Sequence, residues 1–345
     1  MRVAYVCEGA GTLGWGHLGR AYALWEAAPE EVTVVVGRGL AEFQAWSRQR
    51  GSRVTIAPWQ SAGRPLEPGG GGGAAAWDVV VVDDYFLPDE WIARVSADAP
   101  TVIVDDWMRR AVRAAALLNP NLGASPQDYA GSEVGVWLLG AEYAMIRRAV
   151  RDARPAPVGD PVDGLHVLVT LGGSDPGGHA PAIVERLTQL AWYGRGGRVT
   201  VVLGSSYGGP EPGPGERVSV LRDPRDFVDC CAAADLVICG AGTTSYELAL
   251  LGRPFIPVAL VENQARVAAA WAERGVGRGL TVWQDRWLSA LGEDVERLAT
   301  DHAARARVAR AVSRIVDGRG VERVLGAIRR AGGGGPAEPT RSEGR

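Results

Sequence analysis

Lysine is absent from this chain, and all 37 of its basic residues are arginines. The 40 acidic residues outnumber them and leave a net charge of −3, which is not the balance of a protein that mainly binds nucleic acid. Without lysine the chain cannot contain the GxxxxGK[ST] phosphate loop, which excludes the P-loop kinases and NTPases. No run of about 18 apolar residues occurs either, so no membrane-spanning segment is predicted.

Cysteine is also scarce. The four cysteines are Cys7, Cys230, Cys231 and Cys239, and no two of them have the CxxC spacing. This distribution fits neither a zinc site nor a disulfide framework, so we expect buried thiols, no metal and no cofactor. The chain begins with an apolar strand-like run rather than a signal peptide, and the expected location is the cytoplasm.

Continuous apolar runs recur along the 345 residues, separated by stretches with helical character. They lie at 2–7, 32–36, 78–82 and 101–104, and again at 165–170, 198–203, 235–239 and 255–258. Such runs alternating with helices are typical of parallel sheets covered on both faces. We predict an α/β fold with two doubly wound, Rossmann-like domains, at 1–152 and 165–331. A proline-rich linker joins them at 153–164, and a disordered tail follows at 332–345.

His17 follows the first apolar run, in the sequence GWGHLGR at 14–20. A strand, a glycine turn and a helix in this order place His17 at a helix N-terminus above the carboxyl edge of a sheet. Open α/β sheets bind ligands at that edge. A histidine there can accept a proton near neutral pH, which makes His17 a candidate general base. The alternative is a histidine that only caps the helix or packs locally.

Paired aspartates end two other apolar runs at the same predicted edge. Asp83 and Asp84 follow one run, and Asp105 and Asp106 follow the next. These carboxylates could orient His17 or bind an acceptor. The alternative is that they are ordinary solvated groups at strand ends.

Glycine turns in the second half predict an anion site. Gly242, Thr243 and Thr244 follow one strand and open a helix, while Gly173 and Ser174 follow another strand. Glycine lets the backbone approach a ligand closely, and the N–H groups and dipole of a helix N-terminus favour a diphosphate. Ordinary helix capping is the alternative function of these residues.

Three further polar side chains lie near these turns. Glu247, one turn into the helix, could accept hydrogen bonds from ribose hydroxyls, or could act only as a favourable first-turn charge. Asn263 and Gln264 follow a strand, and their carboxamides can both donate to and accept from sugar hydroxyls. For Asn263 the alternative is helix capping.

Several of these segments occur together in the order of one known family. They are GxGHxxR at 14–20, LLNPNLGAS at 117–125, LLGAEYAMIR at 138–147, TLGGSD at 170–175, AGTTSYEL at 241–248 and ENQ at 262–264. Residues 1–280 thereby resemble the nucleotide-sugar hydrolases of the pseudaminic-acid pathway and their spore-coat glycosyltransferase relatives. They are more distantly similar to the peptidoglycan N-acetylglucosaminyltransferases. The resemblance implies a GT-B fold, in which two Rossmann-like domains face each other across a cleft.

The resemblance also implies roles for individual residues. His17 would stand near the anomeric carbon of the donor sugar. The second domain would hold the nucleoside diphosphate and its sugar through Gly173, Ser174, Gly242, Thr243, Thr244, Glu247, Asn263 and Gln264. The acceptor or sugar side of the cleft would include Glu8, Gly14, Gly16, Asp84, Asp106 and Tyr143, of which Tyr143 matches a family position that lines the cleft.

The chain departs from the family near its first strand. The hydrolases usually carry an arginine and an aspartate where this chain has Val6 and Glu8. The loop that follows is Gly9-Ala10-Gly11-Thr12 where the family has serines, and its small residues leave more room on the acceptor side. This departure favours a glycosyltransferase that moves a sugar from a nucleoside-diphosphate donor to a small-molecule acceptor. Backbone donors and hydroxyls can bind the diphosphate, so no metal is expected.

Two other functions stay open. A hydrolase would use water in place of the acceptor, and a binding protein would hold the nucleotide sugar without turning it over. The nucleotide base, the sugar, the acceptor and the oligomeric state are open as well.

Overall fold

The computed structural model describes residues 1–7, 15–36, 40–49, 54, 56–58, 77–85, 87–108, 111–153, 164–213 and 215–333. Glu8 and Gly14 lie outside the described residues, as do most of the predicted linker and tail. Their predicted roles therefore stay predictions.

The first half of the chain forms a parallel sheet in the order β3-β2-β1-β4-β5-β6-β7, counted over the described residues. The strands are β1 (Val3–Cys7), β2 (Val32–Val36), β3 (Ile56–Pro58), β4 (Val79–Asp83), β5 (Thr101–Val104), β6 (Arg113–Asn119) and β7 (Glu133–Leu139). The helices are α1 (Gly16–Ala27), α2 (Leu40–Gln49), α3 (Asp89–Asp98) and α4 (Arg148–Asp152), with 3₁₀ turns at Pro126–Tyr129 and Ala141–Tyr143.

The second half forms another parallel sheet, in the order β10-β9-β8-β11-β12-β13 over the part that the structure describes. Its strands are β8 (His166–Thr170), β9 (Arg198–Leu203), β10 (Val218–Arg222), β11 (Leu236–Gly240), β12 (Phe255–Ala259) and β13 (Leu280–Thr281). The helices are α5 (Ala180–Thr188), α6 (Ala191–Gly194), α7 (Phe227–Ala233), α8 (Thr243–Leu250), α9 (Glu262–Ala272), α10 (Trp287–Thr300), α11 (His302–Val312) and α12 (Gly320–Ala331).

The central strands are buried along their whole length. Every residue of β1, β4, β8 and β11 is buried. Continuous valine-rich strands are what a parallel sheet with both faces covered requires. The predicted fold class, two doubly wound α/β sheets, is confirmed.

In each sheet, the order in which successive strands are added reverses at one pair of neighbouring strands. The first sheet does so between β1 and β4, where Cys7 pairs with Asp83. The second does so between β8 and β11. Ligands of open α/β sheets bind outside the carboxyl ends of strands at such switch points. The GxGH turn follows β1, and the two glycine turns of the second half follow β8 and β11.

Helix α12 returns to the first sheet. Its apolar face, which includes Val321, Val324 and Ile328, lies in the same core cluster as β1 and α1. Gly320 at its start is packed so tightly that a side chain there would lie 2.1 Å from the carbonyl oxygen of Ala144. The predicted boundary at 331 assigns this helix to the second domain. Its packing places it with the first, because its apolar stripe completes that core.

Candidate functional site

A cavity of about 390 Å³ lies between the carboxyl edges of the two sheets. Residues from both halves line it. The predicted site residues that the structure brings together there are Gly16, His17, Asp106, Gly173, Ser174, Gly242, Thr243, Thr244, Glu247, Asn263 and Gln264. Proteins bind small molecules in concave sites of this kind that combine apolar walls with a few convergent polar groups.

His17 is bound to a buried carboxylate. Its Nδ1 lies 2.6 Å from Oδ1 of Asp83, which has no exposed surface. Burial on its own would raise the pKa of Asp83, but the charges of Arg20 and His17 outweigh it and hold that pKa well below its usual range. An ionised carboxylate can only accept a hydrogen bond, so the contact with Asp83 requires the proton on Nδ1; Nη2 of Arg20, 3.1 Å from the same nitrogen, then donates to Asp83 at 2.7 Å instead. Nε2 of the neutral imidazole is then the nitrogen that can accept a proton.

Arg20 joins Asp83 to a second carboxylate. Its Nε and Nη2 donate to the two oxygens of Asp83 at 2.8 and 2.7 Å, and its Nη1 donates to Asp106 at 3.2 Å. Burial acts to lower the pKa of Arg20, but the charges of Asp83 and Asp106 raise it well above its usual value. Arg20 thus faces two carboxylates with a single positive charge.

Two tyrosines complete this buried network. Tyr5 donates its hydroxyl to Oδ2 of Asp83 at 2.7 Å. Tyr85 donates to Asp106, accepts from the carboxamide of Asn263 at 3.3 Å, and packs its ring against His17 with 4.5 Å between the ring centres. Burial first, and then the charge of Asp106, raise the pKa of Tyr85, so it stays a phenol at neutral pH. The network therefore reaches from His17 to the donor side of the cavity.

Helices α1 and α8 meet end to end across the cavity. A side chain on Gly16 would lie 3.8 Å from the hydroxyl of Thr243, so the two N-terminal turns are in near contact. Helix α8 follows Gly242, which has no side chain to cap it. The backbone N–H of Ser245 donates to the carbonyl of Gly242 at 3.0 Å, so the N–H groups of Thr243 and Thr244 are the first-turn donors that an anionic ligand would use.

Glu247 is already bound to another residue of the cleft. Nε and Nη2 of Arg147 donate to its two oxygens at 2.8 and 3.1 Å. Arg147 lies just before α4, so this ion pair joins the first half of the chain to the second. Burial acts to lower the pKa of Arg147, but Glu247 raises it above its usual value. The predicted contact of Glu247 with ribose must therefore compete with Arg147 or share the carboxylate with it.

The turn at Gly173 contacts the first half directly. A side chain on Gly173 would lie 2.1 Å from the indole of Trp15, and Nε1 of Trp15 donates to Oγ of Ser206 at 3.1 Å. The absence of a side chain at Gly173 is thus what admits the Trp15 ring. Ser174 lines the cavity beside it.

Two predicted acceptor-side residues do not line this cavity. Tyr143 packs against the core of the first sheet that contains α12. The chain turns at Gly140, with φ of 106°, into the short 3₁₀ turn that holds Tyr143, and Ala144 and Met145 line the cavity instead. Asp84 is buried, with 5% of its surface exposed, whereas its neighbour Asp83 binds His17.

Sequence reasoning missed three functional candidates and left a fourth unresolved. Arg20 and His17 are three residues apart, a spacing that puts both on one helix face and was a usable signal. Tyr85, directly after the paired aspartates, and Arg147, at the end of LLGAEYAMIR, carried no such signal. Asp83 was only one of four candidate aspartates.

The described residues contain no group of three or more histidine, cysteine or acidic side chains arranged to hold a metal. Over the same part of the chain, no helix is both long and apolar enough to cross a membrane.

Comparison with known proteins finds similarity at the level of structure. No family model and no curated protein sequence matches this chain. The spinosyn rhamnosyltransferase SpnG, solved with thymidine diphosphate, is 16% identical, with a TM-score of 0.57 over 94% of this chain and 100% of its own. MurG of Acinetobacter baumannii is 15% identical, with a TM-score of 0.58 over 96% of this chain and 100% of its own. MnaA of S. aureus, solved with UDP, is 14% identical, with a TM-score of 0.60 over 99% of both chains.

These likenesses, all far below 25% identity, show the fold. It is the GT-B fold, as the sequence predicts. The narrower resemblance to pseudaminic-acid hydrolases and spore-coat glycosyltransferases stays a prediction.

Proposed function

We propose that this protein is a glycosyltransferase that moves a sugar from a nucleoside-diphosphate donor to a small-molecule acceptor. The observation that carries the proposal is the buried His17–Asp83 pair, with its 2.6 Å contact, on a cavity that also contains the uncapped N-terminus of α8. The first can remove a proton and the second can bind a diphosphate. The GT-B neighbours named as glycosyltransferases support the same class.

The reaction would proceed by displacement at the anomeric carbon. Nε2 of His17 takes the proton of the acceptor hydroxyl while the acceptor oxygen forms its bond to that carbon. The bond from the carbon to the diphosphate oxygen breaks, and the nucleoside diphosphate leaves with the electron pair. A positioned general base contributes on the order of 10²–10⁴-fold to such a rate.

The charges of the site suit both ends of this displacement. The carboxylate of Asp83, 2.6 Å from Nδ1, pairs with the imidazolium that His17 becomes. The N–H groups at Gly242–Thr244 stabilise the negative charge that grows on the leaving diphosphate. We also propose that turnover needs no divalent metal, which is tested by comparing rates in EDTA and in Mg²⁺.

The first experiment is a thermal-shift screen with UDP, thymidine diphosphate, GDP, ADP and CDP, followed by turnover of the matching sugar nucleotides. Selective binding to the folded state raises its stability, so a strong shift with one diphosphate identifies the base. Turnover that depends on an added acceptor supports a transferase. Free sugar released at the same rate without an acceptor would instead establish the hydrolase, in which water takes the acceptor's place. No shift with any diphosphate would refute the nucleotide-sugar function.

A further inference from the structure

The charge of the cavity poses a problem for a diphosphate ligand. Among the described residues, two guanidinium groups line it, those of Arg20 and Arg147, against four carboxylates, those of Asp106, Asp223, Glu247 and Glu262. With His17 neutral, the lining of the described cavity therefore has a net charge of −2. The N-terminus of α8 offsets only part of this, since a helix end acts as roughly half a unit charge. A bound diphosphate needs a cation that can turn towards it.

Arg20 is not that cation. Its side chain is 6% exposed, and its three nitrogens are committed to Asp83 and Asp106. Moving it would leave two buried carboxylates without their counter-charge, and unpaired buried charges are strongly unfavourable.

Arg147 differs from Arg20 in both respects. Its side chain is 17% exposed, and the carboxylate to which it is paired is that of Glu247 alone. A single bidentate pair at the edge of a cavity can exchange one acceptor for another. Phosphate oxygens suit the guanidinium fork as well as a carboxylate does.

The position of Arg147 brings it within reach of the anion site. Glu247 lies four residues after Thr243 on α8, so the two share one face of the helix and stand about 6 Å apart along its axis. A guanidinium bound to Glu247 therefore lies about one helical turn from the N–H groups expected to hold the diphosphate. A rotation of the long arginine side chain spans that distance.

We infer that Arg147 is a diphosphate-binding residue that exchanges Glu247 for the ligand. This inference rests on the proposed function. When a nucleoside diphosphate enters, the guanidinium moves from the carboxylate to the phosphate oxygens. Glu247 then has free lone pairs for the ribose hydroxyls. The exchange explains how Glu247 can be engaged by Arg147 in the free protein and still serve the ribose in the complex.

The test measures binding by calorimetry for the diphosphate that the wild type binds best and for its parent nucleoside. In Arg147→Gln the diphosphate should bind at least tenfold more weakly, while the nucleoside changes less than twofold. Arg147→Lys, which keeps the charge but not the fork, should recover part of the loss. Equal weakening of both ligands, or no weakening of either, would overturn the assignment.

A matched control variant separates the effect of Arg147 on ligand binding from the effect of breaking an ion pair between the two halves of the chain. Arg266 also joins them, donating to Asp128 at 2.7 and 2.8 Å, but it lies outside the cavity lining. Arg266→Gln should leave both affinities within twofold of wild type. A loss of diphosphate binding equal to that of Arg147→Gln would show that any broken ion pair between the halves has this effect, and would refute a direct role for Arg147.

Glu247→Gln tests the exchange itself, with inorganic pyrophosphate as a probe that has no ribose. Removing the carboxylate releases Arg147, so pyrophosphate should bind severalfold more tightly than to the wild type. Weaker binding would mean that the pair acts as a fixed unit, and the exchange would be wrong. If the wild type binds no nucleoside diphosphate at all, the proposed function itself fails. If it binds one and Arg147→Gln binds it equally, only the role of Arg147 fails.

Discussion

The two walls of the cleft differ in the chemical groups that they present. The wall from the first sheet carries buried charged side chains, His17, Asp83, Arg20 and Asp106, each held by hydrogen bonds to the others. The wall from the second sheet consists mainly of glycine turns and the start of α8. Fixed charges suit proton transfer, and backbone donors suit the binding of an anion. In the proposed function, the first wall supplies the general base and the second supplies backbone donors for the diphosphate.

The largest effect is expected from removing the base on the first wall. His17→Ala should lower sugar transfer on the order of 10²–10⁴-fold. The affinity for the nucleoside diphosphate should change less than twofold, because in the proposed mechanism the imidazole acts on the acceptor hydroxyl and not on the diphosphate. Steady-state kinetics and calorimetry on the same preparation measure both. His302→Ala, on α11 and away from the cavity lining, is the control. An equal loss of transfer rate and of nucleoside-diphosphate affinity would contradict the proposed difference in role between the two walls.

Asp83→Asn tests the charge of the first wall with almost no change of shape. It leaves Arg20 with half of its buried counter-charge, and breaking a buried pair in this way costs about 3–5 kcal/mol. Urea unfolding at neutral pH measures the free energy of unfolding of the wild type and of Asp83→Asn. Asp152→Asn removes an exposed carboxylate whose side chain is 71% accessible, and should have little effect. An Asp83→Asn protein as stable as the wild type would mean that the cluster is not held by this charge.

The stability difference between the wild type and Asp83→Asn should also depend on pH. The pKa of Asp83 in the folded protein is well below its usual range, because Arg20 and His17 outweigh the effect of burial. Its contribution to stability is therefore complete above the unfolded-chain value of about 4 and is lost as the pH falls below that value. The stability difference between wild type and Asp83→Asn should narrow on acidification from about pH 5 to pH 3. A constant difference over that range would contradict the ionised state of Asp83.

A smaller effect is expected where the two walls touch. A side chain in Gly173→Ala would lie 2.1 Å from the Trp15 ring, so the indole must move and lose its bond to Ser206. Overpacking of this kind costs about 1–3 kcal/mol. Gly19→Ala, with open space around the new methyl group, should instead be neutral or stabilise α1 by up to about 1 kcal/mol. Thermal unfolding distinguishes the two, and similar melting temperatures would show that Trp15 is not held against Gly173.

The smallest effect is expected at the rim of the cleft. Arg266→Gln breaks an ion pair between the halves whose arginine side chain is 43% exposed. Such pairs contribute about 0.2–1 kcal/mol, and salt screens them. The loss should therefore shrink in 1 M NaCl, as measured by urea unfolding. A loss as large as that of Asp83→Asn would mean that the rim, and not the interior, holds the walls together.

Much of the fold could be predicted from local sequence. The strands β1, β4, β8 and β11 are continuous apolar runs, and buried parallel strands have that pattern. The strand β6 begins with an exposed arginine and is rich in alanine, and β7 at the sheet edge has mixed burial. Neither shows a clear periodicity, so neither could be predicted.

The candidate site was harder to predict because it depends on register. Asp83 and Asp84 are neighbours with the same side chain, yet successive strand residues point to opposite faces. The pairing of Cys7 with Asp83 decides which of them meets His17. The bond between Arg147 and Glu247 joins residues 100 positions apart, and no local pattern reports it. Tyr143 matched a cleft position in the motif, but the turn at Gly140 places it against the core of the first sheet.

The return of α12 to the first sheet has a consequence for protein engineering. A donor-binding cassette exchanged between GT-B proteins would run from β8 to α11 and leave α12 in the recipient. That helix fills the recipient's own core through Val321, Val324 and Ile328, and Gly320 fits against Ala144 with no room for a side chain. A graft that also carried a foreign α12 would have to match two unrelated surfaces at once. A natural seam of the chain therefore lies just before Gly320.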